Sequence, residues 1–111
     1  HRQYADGERQ RREQYAFLRN PALARNAKER DDYTCVVCRF SPTQSYGAAH
    51  YAVSLECHHL IPLAERNDPT LKHSTLADVV TVCANCHRLI HSKKETLTLT
   101  QAQTLLGKQD R

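Results

Sequence analysis

Methionine and tryptophan are absent from the 111 residues, phenylalanine occurs twice and glycine three times. With 40% apolar residues and few large ones, the chain can build one domain with a thin core. A structural metal is a common way for so small a domain to gain stability. No apolar run approaches membrane-spanning length, which excludes a helical span and argues against a membrane partner. No stretch has the form of a secretory signal. The sequence opens at His1 and contains no methionine anywhere, so it is read as an excised domain or a processed fragment of a longer protein.

The net charge is +4, and it is unevenly spread. Residues 1–30 hold eight Lys/Arg, among them Arg11, Arg12 and Arg19, against four acids. Residues 31–111 hold eight of each sign. The chain therefore divides into a basic helical segment, 1–30, and a charge-balanced domain, 31–111. A concentrated positive segment suits a polyanion such as the DNA backbone, and it also suits a solvated helix face.

Cysteine is plentiful by contrast. Cys35/Cys38 and Cys83/Cys86 form two C-x-x-C pairs, and Cys57 is left over. In a chain without a signal such pairs read as zinc more than as disulfides, which points to a reducing, cytoplasmic compartment. Cys83-Ala84-Asn85-Cys86-His87 also fits a haem attachment pattern. That reading requires export and leaves Cys35 and Cys38 unexplained, so zinc is preferred.

Local patterning predicts helices over 6–19 and 21–30, the second entered through Asn20-Pro21 and burying Ala22, Leu23 and Ala27. Asp31-Asp32 should end it. Residues 33–38 form a β-rich knuckle, 39–50 a loop, and 51–58 a strand. Residues 62–75 read as a long polar loop, 79–82 as a second strand, and 85–92 as a helix. Residues 96–106 are ambiguous: 96–99 alternate like a strand, whereas 100–106, ending at Gly107, look helical.

Two metal constellations follow. Cys35, Cys38, Cys83 and Cys86 can close a tetrahedral zinc site with no open position, hence a structural one. The knuckles lie 44 residues apart and bracket both strands and the pair His58-His59. Neighbours on a strand point to opposite faces, so His58 and His59 can serve two tasks. His87 and His91, at i and i+4, share a helix face that can meet His58. Three imidazoles with open coordination positions make a reactive metal site. His59, beside it, is placed to act as a general base. Imidazoles suit zinc, nickel or cobalt; magnesium or manganese would draw on oxygen ligands such as a bound phosphate.

Glu56-x-His58-His59-Leu-Ile-Pro-Leu, followed by Asp78-Val-Val-x-Val-Cys83-x-Asn85-Cys86-His87-Arg88-x-x-His91, resembles an HNH endonuclease of the ββα-metal class. Arg19-Asn20-Pro21, Lys28-x-Arg30, Tyr33-x-Cys35-x-Val37-Cys38 and Tyr46-Gly47 extend the resemblance to the nuclease domain of bacterial modification-dependent restriction endonucleases, over roughly residues 19–92. The resemblance implies an α+β fold: a small ββα-metal domain with a four-cysteine structural zinc site and N-terminal helices. It also implies that His58, His87 and His91 hold one catalytic divalent cation, that His59 is the base, and that the four cysteines hold zinc. The middle Asn of the motif falls at Asp78, which can accept but not donate the bracing hydrogen bonds. Asn85 is the alternative for that place. Cys57 reads as a small buried residue.

The implied activity is hydrolysis of DNA to 5′-phosphate and 3′-hydroxyl ends in a bacterial cytoplasm. Arg88 and the arginines of residues 1–30, Arg11, Arg12 and Arg19, are the expected DNA contacts, and a homodimer is kept open as a second partner class. Two rivals remain: a non-catalytic zinc-knuckle DNA-binding module, and a colicin-like toxin DNase. The first accounts for the cysteines and the basic segment but not for the four histidines together.

Overall fold

Two five-residue strands carry the architecture of the structure, a computed structural model that describes residues 21–60 and 75–109. The first helix is α1, Pro21–Arg30, and a short helix α2, Pro42–Tyr46, follows the first knuckle. Strands β1, Leu55–His59, and β2, Val79–Cys83, come next, then helices α3, Ala84–Ile90, and α4, Leu99–Gln109. Single 3-10 turns precede each strand, at Ala48–His50 and Leu76–Asp78. The fold is the α+β arrangement expected. The segment 6–19 expected as helix, residues 62–74 of the loop expected over 62–75, and the cap Asn20 lie outside the described residues.

The strands pair antiparallel, with Leu55 opposite Cys83, Cys57 opposite Thr81 and His59 opposite Val79. Alternation sends Glu56 and His58 to one face and Cys57 and His59 to the other. Helix α3 covers the first face. Helix α1 covers the second, where Leu23, Ala27, Cys57 and Val79 form a small apolar cluster. The Cys57 thiol reaches the carbonyl of Ala24 at 3.5 Å, so this cysteine is the buried packing residue expected. The larger cluster joins Cys35, Val37, Leu55, Val82, Cys83, Cys86, Ile90 and Ala102.

Helix α1 has the expected span, but Ala22 is exposed and only Leu23 and Ala27 are buried, because one four-residue repeat is all that reaches the sheet. The helix closes with paired bonds from Tyr33 N–H to the Lys28 carbonyl and from Asp32 N–H to that of Glu29. That closure needs a left-handed residue, and Asp32 (φ 55°) and Tyr33 (φ 49°) both take that conformation. It is why the two aspartates end the helix.

The stretch expected as loop, 39–50, contains α2 and a 3-10 turn. Ser41 caps α2 by accepting from the Gln44 N–H, with Pro42 at the first helical position. A five-residue helix has no apolar period to betray it. Strand β1 starts at Leu55 instead of residue 51. The chain turns at Ser54 (φ 62°), whose carbonyl accepts from Ala84 N–H at 2.9 Å. The alternating stretch at 96–99 is not a strand. Thr98 and Gln101 exchange hydrogen bonds as a capping box, so the helix begins there and runs through Gly107 without stopping.

Candidate functional site

Helix α3 begins directly from β2. Cys83 is its N-cap, its sulfur accepting from the Cys86 N–H at 3.4 Å. This turn places Cys83 and Cys86 beside Cys35 and Cys38 of the first knuckle. The knuckle is shaped by its own bonds: Arg39 N–H to the Cys35 carbonyl at 2.9 Å and Cys35 N–H to that of Phe40 at 3.0 Å. Val36 N–H then docks the knuckle on the Thr81 carbonyl of β2 at 3.0 Å.

The four sulfurs lie within 4.8 Å of one another, Cys38 and Cys83 at 3.7 Å. Thiolates at the usual zinc distance of about 2.3 Å in a tetrahedron stand about 3.8 Å apart, so the Cys38–Cys83 separation already matches and the quartet can close on zinc with small shifts. The thiols already compete for protons. A hydrogen bond from Cys86 draws Cys35 down to about 4, while burial pushes Cys38 up to about 11. Cys86 is raised, first because it donates to Cys35 and then by burial. Crowded, mutually repelling sulfurs of this kind are satisfied by a divalent cation that replaces their protons.

On the α3 face of the sheet the second cluster forms. One ligand nitrogen each from His58, His87 and His91 lies within the same 4.8 Å. The ring centres are 4.9 to 5.3 Å apart and all three side chains are buried. His87 lies on the helix, and His91 caps it by donating its backbone N–H to the His87 carbonyl at 3.2 Å. One turn of helix thus aligns the two rings against His58. Three buried imidazoles converging this closely fit a divalent cation and leave positions for other ligands.

Glu56 adds a residue to which the sequence alone assigned no role. Its carboxylate accepts from His87 Nδ1 at 2.7 Å, which turns Nε2 toward the cluster. The signal was available in principle, since Glu56 is two residues before His58 and shares its face. Glu56→Ala should weaken divalent-cation binding at the histidines about ten- to a hundredfold. Titration calorimetry on protein with its cysteine site filled checks this, and an unchanged affinity would remove Glu56 from the site.

His59 is fully buried on the opposite face, the one packed by α1. It is outside the three-histidine cluster, as the alternation requires. The next residue, Leu60, donates its N–H to the Asp78 carbonyl at 2.9 Å. The Asp78 carboxylate accepts from Thr75 N–H at 2.7 Å and from its hydroxyl at 3.1 Å, closing the 3-10 turn. Asp78 therefore braces the turn beside His59 using acceptor oxygens alone. Asn85 and Arg88 are exposed on α3. Arg11, Arg12 and Arg19 lie outside the described residues.

A protein-family model described as HNH endonuclease matches residues 35–93, a little over half of the chain. The match runs from the first knuckle through both strands to the end of the histidine helix. No curated protein and no solved structure matches.

Proposed function

Because this chain belongs to the HNH endonuclease family, we propose that it hydrolyses phosphodiester bonds in DNA with His58, His87 and His91 as cation ligands and His59 as general base. The observation that carries the reading is the strand β1, which turns His58 toward His87 and His91 of the α3 end on one face and His59 to the other. His58, His87 and His91 would hold a divalent cation, which would supply positive charge to offset the charge that develops at the phosphate.

The remaining work falls to the chain. His59 takes a proton from water, and the water oxygen bonds to phosphorus as the bond to the 3′ oxygen breaks. The products are a 5′-phosphate and, once the leaving oxygen has gained a proton, a 3′-hydroxyl. Glu56 keeps the His87 ring oriented. Asp78 braces the turn against which the backbone after His59 rests. Arg88, exposed one residue after His87, contacts a phosphate, and the positive charge of residues 1–30, with Arg11, Arg12 and Arg19, adds sequence-independent attraction. Cys35, Cys38, Cys83 and Cys86 hold a structural zinc. The motifs shared with modification-dependent restriction enzymes support placing this chain as the cleavage module of such an enzyme.

Nicking of supercoiled plasmid tests the activity. The chain should nick with a divalent cation and stop when His91→Ala removes one ligand while the zinc content holds. Nicking at the original rate by His91→Ala would refute the site; no nicking under any divalent cation would favour a binding module.

A further inference from the structure

Among the described residues the sheet has two strands, so its outer edges have no partner strand there, and β2 meets this need through side chains and a neighbouring turn. The groups of β2 that point away from β1 include the Val79 carbonyl, the Thr81 N–H and the Thr81 carbonyl. The last is taken by the knuckle, through Val36 N–H. The other two are taken by the end of α1. Arg30 donates Nη2 to the Val79 carbonyl at 2.7 Å, and Asp31 Oδ2 accepts from Thr81 N–H at 2.9 Å. The two side chains also grip each other, Arg30 Nε and Nη2 meeting the two carboxylate oxygens at 2.9 Å each. The remaining nitrogen, Nη1, donates to the Leu76 carbonyl.

We infer that Arg30 and Asp31 act as a buckle that positions His59 by fixing the backbone of residues 76–81. The inference rests on the proposed base role of His59. Among the described residues, the backbone groups that the two side chains hold, at Leu76, Val79 and Thr81, all belong to this one segment. His59 stands opposite Val79 in the sheet, and Leu60 hangs from the Asp78 carbonyl, between the two carbonyls that Arg30 holds. Thr81, held by Asp31, stands opposite Cys57. The same helix end thus fixes the frame on both sides of the histidine, while Leu23 and Ala27 pack on the face it occupies. Burial opposes ionisation of Asp31, but its bonds to Arg30 and Thr81 outweigh burial and hold its carboxyl below the usual range. The pair is therefore charged at neutral pH. Arg30 and Asp31 are positioning residues: they touch no reacting atom.

The test is Arg30→Lys in the full chain with both metal sites filled. Lysine keeps the charge, but a single ammonium cannot span the carboxylate and two carbonyls as the planar fork does. We expect kcat for plasmid nicking to fall roughly ten- to a hundredfold, since small misplacements of a reacting group cost that much. KM for DNA and the metal content should not change. In a His59→Ala background the same substitution should cost nothing further, because residues that act through one another are non-additive. An equal proportional loss in both backgrounds overturns the proposal. Hydrogen exchange gives a readout independent of cleavage. The amides of Leu60 and Thr81 should exchange about tenfold faster or more in Arg30→Lys, and that of Val82 should not. Unchanged protection at Leu60 overturns the buckle whatever the nicking rate. If exchange quickens yet His59→Ala cuts at the wild-type rate, the positioning of the segment is upheld and the base role of His59 is what fails.

Discussion

His59→Ala lowers the cleavage rate roughly a hundred- to ten-thousandfold while both metal sites remain filled. The expectation follows from the strand. His58 shares its face with Glu56 and meets His87 and His91, whereas His59 faces α1 and lies outside that cluster. On the proposed assignment, removing His59 would take away a proton acceptor and leave the three cation ligands untouched. Removing His58 does the reverse. His58→Ala should weaken cation binding, so excess divalent cation should restore part of its activity and none of that lost in His59→Ala. Metal calorimetry on the two variants, run beside nicking assays across a cation titration, checks the division. If His59→Ala lost the cation and His58→Ala kept it, the two roles would be exchanged.

Loss of the cysteine quartet should unfold the domain altogether. Structural zinc contributes ~10–16 kcal/mol in small zinc-dependent peptides, and whole domains are stable by only ~5–15 kcal/mol. The two apolar clusters here are small, and the larger one includes Cys35, Cys83 and Cys86 themselves. The first knuckle is also the joint between β2 and α4: Val36 bonds Thr81, and Gln103 Nε2 donates to the Val36 carbonyl at 3.1 Å. Cys35→Ser or Cys83→Ser should therefore abolish the cooperative thermal transition and sharply reduce helical circular dichroism. Cys57→Ala, at the fifth cysteine, should leave zinc content unchanged. Elemental analysis and melting curves decide the matter, and a folded wild-type chain free of zinc would refute it.

The parts legible in the sequence are those where chemistry dictates spacing. A thiolate quartet needs two tight C-x-x-C turns, and two imidazoles on one helix need i and i+4. Cys35, Cys38, Cys83, Cys86, His58, His87 and His91 therefore revealed their grouping before any coordinates. The opposite orientation of His59 was legible from the period of a strand. The parts not legible depend on contacts that no local pattern encodes. The fork of Arg30 reaches 46 and 49 residues along the chain, to Leu76 and Val79. Glu56 finds His87 across 31 residues. Ala22 reads as core on the helical repeat, yet the sheet is too narrow to reach it. Helix α2 is too short for a period, and α4 hid its start because Thr98 and Gln101 sit in a stretch that also alternates.

Cys86 and His87 are consecutive residues of α3, and they turn to different clusters, the cysteine quartet and the three histidines. Successive side chains on a helix diverge by about 100°. Metals bound at both clusters would therefore clamp this seven-residue rod from two sides at one level of its axis. With both clusters filled as proposed, it could neither roll nor slide without pulling a ligand from one or the other. Its outward residues carry no such duty: Asn85 and Arg88 stand in solvent on the same rigid rod. Natural drift, or an engineer, can rewrite those two positions to alter how the surface meets a nucleic acid, with the reactive chemistry held in register beneath.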